Sequence, residues 1–317
     1  MKPPTGPRPE TMTSLPTLSL VIAVLLTACG KSEPPKPALP ARTTAAKAPD
    51  KPGDGLPPPD CSVKVDPALP GPDVVGLKLG MPREDALNFT RCLHKDAFVS
   101  FEGTWIQGLR TYGIKIAPQA FSAHVGETRP CKYSTMDEMN KCGVGNRAWT
   151  FVAEKITVVS PGVPGREKVL GIWREQHFKP GEMPTADTLL PALVQKYGQP
   201  QFTQQQPNQW MRLDWVQDAA GTPLAQGTRG YGSCRTISAR AGDSHSWSDA
   251  CGLTITAMIV LSRENPLLAQ ELNVGLMDQA ALYRTGRSLQ AELQAMEQQR
   301  RQQEAEQGKG AAANVKL

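Results

Sequence analysis

The chain of 317 residues predicts an α+β fold: an antiparallel sheet with helices on one face, following a disordered, proline-rich tether. Three observations carry this expectation. Short runs of alternating apolar residues mark strands with one buried face. Two segments carry residues that start and stop helices. Of the 29 prolines, 14 crowd into the first 60 residues, so the low apolar fraction of 39% reflects a leader and tether attached to an ordinary globular chain.

The elements follow in chain order. Residues 1–28 have the layout of a signal peptide: Lys2 and Arg8 at the start, then an apolar run from Leu15 to Leu26 broken only by Pro16, Thr17 and Ser19, then small residues ending at Cys29. The run is shorter than the roughly 20 residues a membrane-spanning helix needs, and no later stretch is longer. Leu26-Thr27-Ala28-Cys29 resembles the lipobox of bacterial lipoproteins. That resemblance implies cleavage before Cys29, acylation of its thiol and new amino terminus, and a lipid bilayer as the first partner. Three acyl chains, two on the thiol and one on the amine, make attachment effectively permanent, at roughly 0.8 kcal/mol per buried methylene. Gly30 stands where an Asp would resemble the inner-membrane retention signal, so the resemblance implies an outer-membrane, periplasm-facing location.

Residues 29–60 then form the lipidated cysteine and tether. Lys31 to Asp60 contains no aromatic residue and only two leucines, too little apolar surface to offset its ordering entropy.

The folded domain is expected over residues 61–265. It contains Cys61, Cys92, Cys131, Cys142, Cys234 and Cys251, an even set that reads as a disulfide framework in an exported chain. Six cysteines allow about 15 pairings. Loop closure favours the local one, Cys61–Cys92, Cys131–Cys142 and Cys234–Cys251, the last as a staple between two strands below a hairpin tip. Asp73 to Gly80 reads as a strand. Pro82, Glu84 and Asp85 then open a helix running to about His94, with Leu87, Cys92 and Leu93 inward. A second helix starts near Asp187 and stops at Gly198 with Pro200 beyond. Alternation marks strands at Gly252–Ser262, around Met211, Leu213 and Trp215, around Tyr112, Ile114 and Ile116, and at Phe151–Val159, Val169–Phe178 and Ser233–Ala239. Residues 266–317 read as a C-terminal helix with Leu282, Leu289, Leu293 and Met296 on one stripe, ending in a polar tail.

There is an echo between two halves of the domain. A strand end with Gly-Met and an acidic helix start, Gly76 to Asp85, is matched by the acid-started helix ending Lys196-Tyr197-Gly198-Gln199-Pro200. The first patch resembles the opening of small outer-membrane assembly lipoproteins and of β-lactamase-inhibitor-protein-like domains. The second is similar to a helix end found in proteobacterial periplasmic proteins. Both imply a small module of helix plus antiparallel sheet, and neither transfers an active residue.

The sequence excludes more chemistry than it suggests. With 35 Lys+Arg against 30 Asp+Glu, the charge is +5 and both signs are interspersed, which argues against a nucleic-acid partner. The nearest cysteines are 11 residues apart and no Cys-x-x-Cys occurs, so no metal site is expected. Cys142-Gly-Val-Gly-Asn-Arg147 lacks the third glycine of a dinucleotide loop, and no cofactor is expected. Gly242-Asp243-Ser244-His245 is similar to the nucleophile block of SGNH-type hydrolases, but no downstream Asp-x-x-His follows it. Trp247 and His245, in the same polar tip, are the candidate binding residues. The reading is therefore a non-enzymatic lipoprotein domain that binds a protein or other envelope component. The alternative is an envelope serine hydrolase using Ser244 with a distant histidine.

Overall fold

Alternating apolar residues form a continuous antiparallel ladder in the computed structural model, which describes residues 56–94, 97–102, 105–106, 108–132, 134–140, 142, 147–242 and 247–311. The chain first makes a two-residue-strand hairpin, β1 (Asp73–Val74) and β2 (Leu77–Lys78), then α1 (Arg83–Leu93), β3 (Phe98–Glu102) and β4 (Ala120–Pro130). The short helix α2 (Met136–Asn140), β5 (Arg147–Val159) and β6 (Gly171–His177) follow. Next come α3 (Ala186–Tyr197), β7 (Phe202–Gln206), β8 (Trp210–Asp218), α4 (Tyr231–Cys234), β9 (Cys251–Leu261), β10 (Ala269–Asp278) and α5 (Gln279–Ala311). The main sheet has the order β3-β4-β5-β6-β10-β9-β8-β7, antiparallel throughout.

That order reads the same from either end. Each half runs helix, two strands, short helix, two strands, and the halves join through β6 and β10. Backbone bonds repeat the relation. Pro82, just before α1, faces Lys168, just before β6, while Thr185, before α3, faces Leu268, before β10. The echo between the two helix starts thus corresponds to two similar halves of one sheet.

One face of the sheet packs under α1 and α3. Ala86 and Leu87 from α1 and Leu193 from α3 join Val99, Phe121, Ile156, Ile172, Leu213, Ile255, Ile259, Val274 and Leu276 in the main core. The β1–β2 hairpin adds Val74 and Leu77, both fully buried, turning through Val75 and Gly76 at positive φ. A side chain at Gly76 would be strained by its φ of 87°, and its Cβ would lie 2.7 Å from the Phe89 ring, which would have to shift. The opposite face meets α4 and the first turns of α5: Leu282 packs on Val159, Trp173 and Met277, and Tyr231 on Val216. All three expected disulfides form, with Cα separations of 5.6, 5.5 and 5.2 Å for Cys61–Cys92, Cys131–Cys142 and Cys234–Cys251. The last two brace the same loop in each half, the one carrying α2 or α4 between the second and third strands.

Several elements differ from expectation. Asp73 to Gly80 is the small hairpin, not one strand. Leu93 is exposed, because the buried side of α1 is instead Arg83, Ala86, Leu87 and Thr90. Tyr112, Ile114 and Ile116 are not a strand. Tyr112 is left-handed at φ 52°, and the three pack beneath α5 against the cluster of Val163, Leu289 and Leu293. Ser233–Ala239 is also not a strand. It is the end of α4 and an extended strap lying flat on the sheet, so Cys234–Cys251 joins a helix to a strand. The chain does not turn helical at Asn265-Pro266; it first forms β10 in the centre of the sheet, and α5 begins only at Gln279. Met296 is exposed and not part of the buried stripe, while the polar tail continues as helix to Ala311.

Candidate functional site

The strap shows how the sequence builds the second face. Its carbonyls accept side-chain donors from the sheet instead of joining a ladder. Trp173 Nε1 donates to Ser238 O at 3.0 Å and Arg212 Nη2 to Ile237 O at 3.1 Å, while Thr256 Oγ1 lies 3.2 Å from Ile237 O. Gln279 Nε2 donates to Cys234 O at 2.6 Å. Beneath the strap lies Asp214, fully buried. It accepts from Arg212 Nε at 2.9 Å, Arg235 Nε at 2.6 Å and Thr256 Oγ1 at 2.9 Å, so its charge is matched on three sides. Arg235 also lies 3.9 Å from the centre of the Phe202 ring.

The strap's backbone crosses one transverse row of the sheet, and its contacts with the next row are made through side chains, Arg212 donating to Ile237 O and Arg240 reaching Glu271. Register pairs define the covered row as Ser100, Ser122, Thr157, Trp173, Gly275, Thr256, Asp214 and Phe202. The neighbouring row also crosses all eight strands: Phe98, His124, Lys155, Glu175, Asn273, Met258, Arg212 and Gln204. Among the described residues no helix or strand lies over this second row. Beyond it, His177, Glu271, Val260 and Trp210 continue the open face.

This open face is aromatic at one end and charged in the middle. Trp149 stacks near His124 with ring centres 5.9 Å apart and meets Phe98 edge-on at 6.3 Å. Burial, aided by the nearby Lys155 charge, holds the His124 imidazole below its ordinary pKa. Lys155 Nζ lies 3.6 Å from Glu175 Oε1, and His177 Nδ1 lies 3.7 Å from Glu271 Oε1. Arg240, at the end of the strap, donates to Glu271. Asn273 Nδ2 donates to Glu271 Oε2 at 3.3 Å, which leaves Asn273 Oδ1 without a hydrogen bond although the residue is wholly buried. Glu175 Oε1 and Arg240 Nε also lack hydrogen bonds, the former facing only the Lys155 ammonium.

The helix-covered face differs. Glu154, buried there, is bonded to Arg174 and lies 2.8 Å from His94 Nε2. Tyr197 lines a cleft beside the hairpin, and burial pushes its phenol well above the usual range while its hydroxyl donates to Asp73 O at 3.2 Å. Lys196 holds Asp73 at 2.9 Å, so the charges around this cleft are matched.

Cys29, Ser244 and His245 lie outside the described residues. Trp247 is half-buried against the cluster of Ile237, Ala241 and Trp173, and is not a free-standing anchor at the tip. The three histidines that could have served Ser244 are dispersed: His94 sits at the end of α1, while His124 and His177 occupy different positions on the open face. Among the described residues there is no group of three or more His, Cys, Asp or Glu placed to hold a metal ion. No helix among them is long and apolar enough to cross a membrane. Sequence reasoning did not find the open row, because its members come from eight strands and meet only through register. Alternation of Glu271 and Asn273 with Leu272, Val274 and Leu276 was the available signal for its centre.

No protein-family model matches the chain, and no curated protein or solved structure matches it at a significant level.

Proposed function

We propose that the protein is a lipid-anchored periplasmic binding module of the outer membrane, without enzymatic activity, that docks an envelope protein on the open face of its sheet. The carrying observation is the row from Phe98 to Gln204, over which no helix or strand lies among the described residues, where aromatic, aliphatic and charged side chains stand together and several buried polar atoms lack hydrogen bonds. Such a mixture of aromatic anchors with hydrogen-bonding groups suits a protein interface. The lipobox residues and the proline-rich segment after them support tethering at Cys29, with the tether letting the domain reach partners in or near the membrane.

Two experiments test this. A photo-crosslinking residue placed in the producing cell at Met258, Trp210 or Gln204 should give adducts of discrete mass, and one at Thr188 or Arg91 on the helix-covered side should not. Adducts from the helix side, or from neither side, would remove the docking reading. Cys29→Ser should release the protein from the membrane; unchanged fractionation with an unchanged intact mass would remove the anchoring reading.

A further inference from the structure

The geometry points to a guanidinium site at the centre of the open face, filled by an arginine side chain of the docked protein in place of the chain's own Arg240. This inference rests on the docking reading above and names the chemistry of its central contact. Glu175 on β6 and Asn273 on β10 are register partners, so their side chains stand next to each other across the junction of the two halves. Both end in an acceptor without a hydrogen bond, Glu175 Oε1, which faces Lys155 Nζ at 3.6 Å, and Asn273 Oδ1. The amide of Asn273 has its orientation set by chemistry: Glu271 can only accept, so the NH2 group faces Glu271 and the oxygen faces away. Glu175 and Asn273 therefore each offer an acceptor without a hydrogen bond next to Glu271, whose own oxygens are already met by Arg240 and Asn273.

Arg240 meets these acceptors only in part. One terminal nitrogen meets Glu271, while Nε meets nothing. Arg240 is about a third exposed and Lys155 a quarter, so both can leave by changing rotamer without moving the backbone. A planar fork of five N–H groups entering from the partner can reach acceptors on two strands at once, which the compact ammonium of Lys155 cannot. Guanidinium is also more weakly hydrated, which favours it at a half-buried position flanked by Met258. The carboxylates of Glu175 and Glu271 supply two charge-assisted bonds and Asn273 a third, neutral one.

The test uses the full chain and blocked amino acids as probes: Nα-acetyl-arginine N-methylamide, its neutral isostere built on citrulline, and the lysine counterpart. Backbone amide resonances of the protein report binding. The arginine probe should produce saturable shifts centred on residues 173–177 and 271–275, with a dissociation constant of about a millimolar for so small a ligand. Citrulline should give none, and lysine should bind at least fivefold more weakly. Glu175→Gln should weaken the arginine probe about tenfold, and Arg240→Ala should strengthen it at least fivefold by vacating the site, with far-UV spectra unchanged in both. Equal response to citrulline, no effect of Glu175→Gln, or unchanged affinity in Arg240→Ala would each overturn the inference. Cross-links from Met258 without any arginine response would refute the guanidinium site and leave the docking reading standing. An arginine response without cross-links would uphold the site and refute its supply by a docked protein.

Discussion

Gly275 is the residue at which the covered half of the second face is most easily broken. It lies in β10 as the register partner of Trp173, with the strap passing directly above. A Cβ at this position would lie 2.7 Å from Ser238 O and 2.7 Å from Trp173 Nε1, closer than either atom tolerates. The ring cannot slide toward β6 to make room, because Gly171 already admits it so closely that a Cβ there would be 2.6 Å from Cζ3. Trp173 is also fully buried and stacked at 5.1 Å on Trp105. Gly275→Ala must therefore push the ring or lift the strap. Overpacking of a tight core costs about 1–3 kcal/mol. Loss of the 3.0 Å bond from Trp173 Nε1 to Ser238 O adds about 1 kcal/mol. Replacing glycine inside a strand returns about 0.5–1 kcal/mol through backbone entropy. The net destabilisation is about 2 kcal/mol, a fall in Tm of about 4–8 °C for a domain of this size. Urea unfolding of the full chain, followed by tryptophan fluorescence and near-UV circular dichroism, measures it. In a Trp173→Leu background the same substitution should cost at least about 1 kcal/mol less, because the obstructing ring is gone. A Gly275→Ala protein within about 0.5 kcal/mol of the parent, or full additivity in the double variant, would refute the packing argument.

Three further outcomes are expected. Replacing Cys234 and Cys251 together with Ser should cost up to about 3 kcal/mol and loosen α4 and the strap while the sheet persists; urea unfolding and hydrogen exchange report both effects, and non-reducing peptide mapping should recover Cys61–Cys92, Cys131–Cys142 and Cys234–Cys251. His124 is held below the ordinary imidazole value of 6.5 by burial and by Lys155, so the unfolded chain takes up a proton first; stability should be level above about pH 6.5 and fall as the pH drops through that value, and His124→Gln should flatten the slope in urea titrations across that range. Glu297 is lowered from 4.5 to about 2 by hydrogen bonds from Arg300 and Arg301, so its support for the exposed end of α5 is complete above about pH 4.5 and lost as the pH falls toward 2; far-UV ellipticity should decline over that interval in the parent and not in Glu297→Gln.

The pattern of these residues explains which elements were legible in the sequence. Alternation identified β9 and β8 because one side of each faces the main core and the other carries Thr254, Thr256, Arg212 and Asp214. The helix starts were legible from Pro82 with its two acids and from Asp187, since capping chemistry is local. The strap misled for a physical reason. Ile237, Ala239 and Ala241 alternate with polar residues because an extended segment lying flat on a sheet buries every second side chain, and alternation does not distinguish this from membership in the ladder. Tyr112, Ile114 and Ile116 misled in the same way, their burial coming from α5 at the far end of the sequence. For β10 the alternation was present, but Pro266 and the approach to a long helix outweighed it.

The position of the open face follows from how two similar halves were made unequal. A sheet of order β3-β4-β5-β6-β10-β9-β8-β7 built from two equivalent sets of strands has its centre at the β6–β10 junction, where the last strand of each half meets the other. Lys168 corresponds to Leu268, so Glu175 corresponds to Gly275 and Asn273 to Trp173, and the Glu175–Asn273 pair is the counterpart of the Trp173–Gly275 pair across that junction. The loops between the second and third strands differ in what they do. In the second half the loop carrying α4 continues as the strap, crosses the covered row and reaches as far as Arg240 on Glu271. In the first half β4 and β5 pair along their whole length, and α2 lies at the far end of that long hairpin beside the Cys131–Cys142 bond. The strap therefore closes the Trp173 side of the junction and ends at its other side. The uncovered acceptors then lie where both halves contribute one side chain each. The duplicated fold thus uses the same cross-junction pair twice: as Trp173 with Gly275 it admits the strap, and as Asn273 with Glu175 it places a neutral and a charged acceptor side by side.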